Sequence, residues 1–335
     1  MDLSPAIRLL LWPLALLYGS YVRLRAWLYS RGWLKQKRLK GMVISIGNLT
    51  VGGTGKTPMV IWLAEKLLAQ GKCVAILSRG YRSANGTSDE IELMRERFQD
   101  RVAFGVGKNR LIQGRRLEAQ QEIDVFLLDD GFQHLQLARD IDIVLLDASR
   151  EMGKERLLPA GRLREPLSAL NRANLVVFTR IESAPGAREA IQRLGKFPVF
   201  AAETRLLGFR LFGGNRTPFP AGSIGAGPFF AFCGIGNPEA FFRDLESWHV
   251  PVAGSRKFRD HHRYVAEDVA LLERAASQAN AKAFLTTEKD EQNLTGLAFS
   301  SQPVYVSMID LELIPEGEFL AAIERALQRR DGATV

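Results

Sequence analysis

Short apolar runs rich in leucine and β-branched residues recur along this chain, separated by segments in which apolar residues follow helical spacing. Runs of this length and composition predict buried β-strands. The predicted strands are Met42–Ile46, Cys73–Leu77, Val125–Leu128, Ile143–Leu146, Leu175–Phe178 and Phe229–Phe232. Because helical segments lie between them, we expect a doubly covered parallel sheet, the core of an α/β fold. Ligands of such sheets bind at the carboxyl ends of the strands.

Residues 198–226 show a different pattern. Apolar residues lose their helical spacing there, and the segments Val199–Thr204 and Leu207–Phe212 have the composition of strands. A run rich in glycine and proline follows, beginning at Gly213-Gly214. The pattern predicts a linker between two α/β domains, in the form of a hairpin.

The first forty residues form a separate segment. Fourteen uncharged residues lie between Arg8 and Arg23, fewer than the ~20 that a bilayer-spanning helix requires, and Pro13 interrupts them. Apolar residues approximate one helical face at Ile7, Leu10, Leu11, Leu14, Leu17, Tyr21, Leu24 and Leu28. This pattern predicts a helix lying in a membrane surface. The alternative is a helix that packs onto its own domain, and both arrangements can hold together.

Charge is concentrated in the same segment. Residues 1–40 contain eight basic residues and one acidic residue, so they contribute +7 of the total charge of +8. A basic cluster at residues 31–40 is expected to be attracted to anionic lipid. The remainder is nearly neutral, which argues against nucleic acid as a partner. Cys73 and Cys233 are the only cysteines, so we expect neither a disulfide framework nor structural zinc.

A glycine-rich turn directly follows the first predicted strand. Its glycines allow backbone N–H groups to surround phosphate oxygens, and the helix after it directs its positive dipole end to the same site. Lys56 is expected to reach the β- and γ-phosphates, and the Thr57 hydroxyl to ligate Mg²⁺. The predicted phosphate loop consists of Thr50, Val51, Gly52, Gly53, Thr54, Gly55, Lys56 and Thr57.

Asp129 and Asp130 end the strand Val125–Leu128. Adjacent carboxylates repel each other, and a cation between them removes that repulsion. We therefore expect these residues, with Thr57, to form a Mg²⁺ site beside the phosphate loop. The alternative is an aspartate pair that caps a turn. Thr179-Arg180 follows a later strand but matches guanine-reading motifs poorly.

Seven segments in order resemble the tetraacyldisaccharide 4′-kinase (lipid A 4′-kinase) family, and Thr50 belongs to that family's own loop. The segments are Gly47–Pro58, Ser78–Tyr81, Leu128–His134, Leu158–Pro166, Gly234–Pro238, Phe258–His262 and Thr286–Asp290. The resemblance implies an ATP- and Mg²⁺-dependent kinase acting on the 4′-hydroxyl of a tetraacyldisaccharide 1-phosphate. The product is a lipid A precursor (lipid IVA), made at the cytoplasmic face of a Gram-negative inner membrane.

The resemblance also implies a domain organisation, with a P-loop core, a smaller α/β domain, a two-stranded linker and an active site in the cleft. We predict four parts. They are a basic amphipathic membrane-associated segment (1–40), a P-loop kinase core (41–197), a linker hairpin (198–226) and a smaller C-terminal α/β domain (227–335).

Family catalysis is attributed to an aspartate–histidine pair. The resemblance places the aspartate at Asp89, although Ser88 stands where the family pattern has glycine, and the histidine at His261, directly after Asp260. Asp130 is the other candidate base. The residues expected to line the nucleotide or sugar cleft are Arg79, Tyr81, Gln133 and His134.

Two other functions are compatible with a phosphate loop. A membrane-associated P-loop switch or partitioning ATPase would use the same loop, but such loops typically carry lysine before the glycine pair, and Val51 stands there. A soluble sugar or nucleotide kinase would not need the N-terminal segment.

Overall fold

The chain divides into two compact units. The computed structural model describes residues 5–80, 88–149, 155–180, 197–214, 217–220 and 227–331. Unit 1 comprises residues 1–81, 98–203 and 312–335, and unit 2 comprises residues 82–97 and 204–311. Residues 82–97, which lie inside the predicted core by sequence, therefore belong to unit 2.

The described helices and strands follow one another in mixed order. The helices are α1 (Pro5–Ser30), α2 (Lys56–Ala69), α3 (Asp89–Phe98), α4 (Arg110–Glu118), α5 (Pro238–Ser247), α6 (Ala266–Gln278), α7 (Glu288–Asn293) and α8 (Glu316–Asp331). The strands are β1 (Met42–Asn48), β2 (Val74–Ser78), β3 (Ala103–Val106), β4 (Val125–Asp129), β5 (Ile141–Asp147), β6 (Leu175–Thr179), β7 (Val199–Leu211), β8 (Phe229–Cys233), β9 (Val252–Lys257), β10 (Ala283–Thr287) and β11 (Val304–Ile314).

The sheet of unit 1 has the strand order β3-β2-β4-β1-β5-β6-β7, and each of these neighbouring pairs is parallel. Ile46 of β1 lies opposite Asp129 of β4. The carboxyl ends of these two strands therefore lie side by side. Strands in unit 2 follow the order β11-β10-β8-β9, also in parallel pairs.

Every strand predicted from an apolar run is present within one or two residues of its expected bounds. The prediction of two strands at Val199–Thr204 and Leu207–Phe212 is wrong, because β7 is one continuous strand. Residues 199–202 and 208–210 are buried and the residues between them are partly exposed, so the apolar pattern weakens there without any break in the backbone. In the described part of the linker, Phe209 and Phe219 form a single antiparallel bridge.

Helix α1 continues through Pro13, so the expected interruption is wrong. Pro13 lies on the exposed side of the helix, where water can hydrate the carbonyl that loses its N–H partner. Among the α1 side chains that the structure describes, the buried ones belong to the small residues Ala15 and Gly19. Among the described residues, no helix has the length and apolar character that crossing a bilayer requires.

The opposite faces of the strands pack into separate apolar layers, as period-two alternation requires. In unit 2, Phe229 and Ala231 of β8 join one cluster while Phe230 and Phe232 join another. In unit 1, α8 closes one side of the core. Its Phe319 is fully buried, with ring contacts to Trp62 at 5.7 Å and Phe200 at 5.2 Å between centroids.

Phe319→Ala is expected to lower the free energy of unfolding by about 3–5 kcal/mol, because it leaves a cavity between α2, α8 and β7. Chemical denaturation followed by circular dichroism measures the change. Ile112→Ala, at a residue of α4 that is 59% exposed, is the matched control and should change stability little. Equal effects of the two substitutions would contradict this packing.

Candidate functional site

The predicted phosphate loop lies between β1 and α2, at the carboxyl end of the sheet. Gly55 precedes the first residue of α2 and has a left-handed backbone with φ of 81°. A Cβ there would lie 3.3 Å from Thr179 Cγ2, so the turn favours glycine on both grounds. The first N–H groups of α2, beginning at Lys56, have no partners within the helix and are suited to bind an anion.

Side chains from two other segments support this loop. Asn48 Nδ2 donates to Thr54 Oγ1 at 2.8 Å, and the Arg164 guanidinium donates to Asn48 Oδ1. Arg162 Nη2 donates to the carbonyl of Val51 at 2.7 Å, whose N–H donates back to the Arg162 carbonyl at 2.9 Å. The loop is thereby fixed at its start and in its middle.

Both aspartates of the predicted pair lie in unit 1 with Lys56. Asp130 accepts two hydrogen bonds from Arg164, at 2.7 and 2.8 Å, and lies 3.7 Å from Lys56 Nζ. Burial alone would raise the pKa of Asp130, but the hydrogen bonds from Arg164 and the charge of Lys56 outweigh it and lower the pKa to about 2. Asp130 is therefore ionised and paired with two cations.

Asp129 has a different environment. Its carboxylate accepts a hydrogen bond from Ser78 Oγ at 3.1 Å. Burial, followed by the negative charge of Asp130, raises the pKa of Asp129. A carboxylate in this situation gains from a nearby cation, which is the environment expected of a metal ligand. Thr57, in the first turn of α2, is partly buried.

A second cluster of ionisable groups lies in unit 2. Asp89 begins α3, where Ser88 Oγ accepts from the N–H of Ile91 at 3.4 Å. His261 follows β9, and its Nδ1 lies 3.0 and 2.9 Å from the two carboxylate oxygens of Asp89. His262 instead pairs with Asp268 at 2.8 Å. The structure thus brings together Asp89 and His261, the two residues predicted to form the pair.

The hydrogen bond between these residues changes both pKa values. The bond to Asp89 raises the pKa of His261 above its ordinary value, against the effect of burial. Burial raises the pKa of Asp89, but the hydrogen bonds with His261 and Glu90 and the charge of Lys289 together outweigh it and lower the pKa well below its usual range. Asp89 therefore remains a carboxylate and His261 holds a proton more tightly than a solvated histidine does.

A buried network holds the backbone of His261, which has a left-handed φ of 58°. Its N–H donates to the carbonyl of Gly234 at 2.9 Å. The N–H of Gly234 in turn donates to Asp290 Oδ1 at 2.7 Å. Asp290 also accepts from the hydroxyls of Tyr264 at 2.8 Å and Thr287 at 2.6 Å. These bonds fix the backbone of His261, from which its ring reaches Asp89.

Glu90, next to Asp89, belongs to the same cluster. Oxygens of Asp89 and Glu90 and a ring nitrogen of His261 are close enough together to ligate a cation. The ammonium of Lys289 already lies 3.0 Å from Glu90 and 3.9 Å from Asp89. We therefore assign no metal to this cluster.

The residues predicted to line the cleft have different surroundings. Arg79 is exposed just after β2, and Tyr81 lies outside the described residues. Gln133 Nε2 donates to the carbonyl of Asn48 at 2.9 Å. Burial, followed by the charges of Arg110 and Arg139, lowers the pKa of His134 to about 4. His134 is therefore neutral at physiological pH, and its buried Nε2 has no partner in the described part of the chain.

Three charged residues of these clusters received no role from the sequence. Arg110, the first residue of α4, is buried with an unpartnered Nε among the described residues, and no predicted strand precedes it, since β3 has no clear apolar run. Arg164 and Lys289 both lie in segments that resemble the family. Only the tertiary structure shows which carboxylates they meet.

A phosphate loop between a parallel strand and a helix, with paired aspartates at the end of the neighbouring strand, defines a P-loop nucleotide-binding fold. A profile of the family described as LpxK, Tetraacyldisaccharide-1-P 4'-kinase, matches residues 7–328. The chain therefore belongs to this family, which confirms the resemblance inferred from the seven segments.

Relatives support the same assignment over nearly the whole chain. The tetraacyldisaccharide 4'-kinase of Geobacter metallireducens is 40% identical over 330 residues, covering 92% of this chain and 95% of the relative. That of Geobacter sulfurreducens is 37% identical over 330 residues, covering 93% and 92%. The crystal structure of "apo" form LpxK from Aquifex aeolicus in complex with ATP superposes with a TM-score of 0.76 and 31% identity, covering 96% and 99%.

Asp89→Asn is expected to lower the pKa of His261, because it removes the charge that stabilises the imidazolium. Histidine-labelled protein, titrated by NMR, reports all four histidines and identifies His261 by its loss in His261→Gln. His134 is the internal control and should stay neutral down to pH of about 4 in both proteins. An unchanged His261 titration would refute the pairing.

Proposed function

We infer that this chain is an ATP-dependent kinase that phosphorylates the 4′-hydroxyl of a tetraacyldisaccharide 1-phosphate, giving a lipid A precursor. The family match over residues 7–328 carries this conclusion. The phosphate loop gives it a physical basis, and the Aquifex aeolicus relative crystallised with ATP supports ATP as the phosphoryl donor.

Unit 1 is proposed to hold the donor. The N–H groups after Gly55 and the ammonium of Lys56 would bind the phosphate oxygens. Asp130 lies 3.7 Å from that ammonium and is itself fixed by Arg164. The ammonium group of Lys56 is thereby held near the N-terminus of α2, where its charge is needed during phosphoryl transfer.

Mg²⁺ fits the same strand end. Asp129 is a partly buried carboxylate beside a second carboxylate, and the hydroxyl of Thr57 lies in the first turn of α2. We propose that these two residues hold the ion, with Asp130 tuning the site through its charge. Bound Mg²⁺ neutralises charge on the phosphate oxygens during transfer.

Unit 2 is proposed to accept the proton of the attacking hydroxyl. Asp89 is ionised and hydrogen-bonded to His261, so the pair can take up one proton and share it. His261 orients the carboxylate and stabilises the protonated state. Asp130 is a weaker candidate for this role because its carboxylate is paired with Arg164 and Lys56.

A cationic region of unit 1 suits an anionic acceptor. Arg79 and Arg110 both contribute positive charge at His134, whose neutral Nε2 can donate or accept. We propose that these groups, with Gln133, bind polar and phosphate groups of the disaccharide.

The alternative function, a membrane-associated P-loop switch or partitioning ATPase, is not favoured by the family match.

Lys56→Met is expected to lower the rate of glycolipid phosphorylation by at least about 100-fold, because it removes a cation from the transferring phosphoryl group. The assay follows label from γ-labelled ATP into chromatographed lipid. Lys66→Met is the matched control, since Lys66 lies on the same helix and pairs with Glu316. The proposal would be contradicted if folded Lys56→Met formed labelled lipid at the parental rate.

We propose that α1 attaches the chain to the cytoplasmic leaflet of the bacterial inner membrane. Six of the eight residues on its predicted apolar face are exposed: Ile7, Leu10, Leu14, Leu17, Tyr21 and Leu24. Its small residues face the unit, where the Tyr18 hydroxyl donates to the Arg164 carbonyl at 2.8 Å. The helix thus packs on its own unit by one narrow side and leaves the apolar side available to lipid.

The acceptor supplies a reason for this attachment. Moving an acyl chain from membrane to water costs about 0.8 kcal/mol for each methylene. A lipid with four acyl chains therefore stays in the bilayer, and the kinase must reach its sugar at the surface.

Leu10→Glu combined with Leu17→Glu is expected to weaken binding to anionic vesicles by about 100-fold, since two leucines no longer enter the interface. Both side chains are strongly exposed, at 78% and 69%, so the fold should persist. Flotation with phosphatidylglycerol-containing vesicles measures binding. Ile112→Glu, on α4, is the control; equal loss in both proteins would contradict a specific role for α1.

A further inference from the structure

Lys289 lies at the centre of the acidic cluster in unit 2. Its ammonium is 3.0 Å from Glu90, 3.4 Å from Asp260 and 3.9 Å from Asp89. It also lies 3.4 Å from His261 Nε2. The other ring nitrogen of His261, Nδ1, contacts Asp89. The side chain is 21% exposed, so water screens these interactions only in part.

Groups from three parts of the chain meet at this ammonium. Helix α3 supplies Asp89 and Glu90, the loop after β9 supplies Asp260 and His261, and the start of α7 supplies Lys289 itself. Asp290, the next residue, directs its carboxylate to Gly234, Tyr264 and Thr287. The positive charge of Lys289 therefore offsets the negative charges of three carboxylates around the imidazole of His261.

We propose that Lys289 is a positioning residue for phosphoryl transfer, which holds the Asp89–His261 pair in place and keeps it ready to accept a proton at neutral pH. This inference rests on the proposed role of that pair. The contacts with Glu90 and Asp260 draw the loop of His261 and the start of α3 to one cation. The contact with Nε2 opposes a second proton on the ring.

The electrostatics of the neighbouring groups agree with this role. The positive charge of Lys289 acts to lower the pKa of both Asp89 and His261. Burial lowers the pKa of Lys289, but Glu90, Asp89 and Asp260 outweigh it and raise the pKa. The lysine thus stays charged across the pH range in which the pair would work.

Lys289→Met keeps most of the length of the side chain and removes its charge. We expect kcat to fall at least tenfold at neutral pH, with KM for ATP changed less than twofold, because the phosphate loop is the proposed nucleotide site. The acidic limb of the kcat profile should move upward by about one pH unit, since the pair then releases its proton only at higher pH. Lys289→Arg should restore most of the pH profile.

Lys257→Met is the matched control. Lys257 lies in the same unit and forms an exposed ion pair with Glu239 at 2.9 Å, so its loss should leave rate and profile unchanged. Equal kcat profiles for Lys289→Met and the parent protein would overturn the proposal. So would a loss of rate in Lys289→Met without any shift of the profile.

A direct titration separates this inference from the proposed function. In Lys289→Met the pKa of His261, followed by NMR of labelled histidine, should rise by about one unit, and Lys289→Arg should return it. This result can be obtained even if the parent protein phosphorylates no glycolipid, which would refute the function alone. An unchanged His261 pKa refutes the role of Lys289 whatever the activity.

Discussion

A carboxylate that leaves water must find a cation or hydrogen-bond donors, and both candidate sites of this protein are built around that requirement. In unit 1, Asp130 forms ion pairs with the guanidinium of Arg164 and the ammonium of Lys56. In unit 2, Asp89 is matched by His261 and Lys289. Removing one of these basic partners would leave the carboxylate less well compensated, so the pairing that defines the chemistry of each site also helps to keep its shape.

The strands of the fold could be predicted from sequence because a buried strand in a parallel sheet is a continuous apolar run. Four strands, β3, β9, β10 and β11, were not predicted, although β10 and β11 contain buried apolar residues. β3 has four residues and lies at an edge of its sheet, and β9 is an edge strand whose residues are mostly exposed. The single strand β7 was divided in two because partial exposure in its middle imitates a break.

The residues of the candidate sites likewise differ in whether the local sequence predicts them. Lys56 and the aspartate pair follow directly from local spacing, since the loop, the helix start and the strand end each have a sequence pattern. The contact between Asp89 and His261 joins residues 172 positions apart, and only the family resemblance suggested it. No sequence pattern assigned a role to Lys289 or Arg110, because their importance comes from which charges the fold places around them.

The contact of α1 with unit 1 has a consequence for any shortened form of the protein. Tyr18 holds the carbonyl of Arg164, the residue whose guanidinium supports both Asp130 and Asn48. Arg25 donates to the carbonyl of Gln133 at 3.1 Å, and the Gln133 amide reaches Asn48. Deletion of α1 would thus remove contacts that support the phosphate loop. A protein shortened in this way is therefore not equivalent to the full chain.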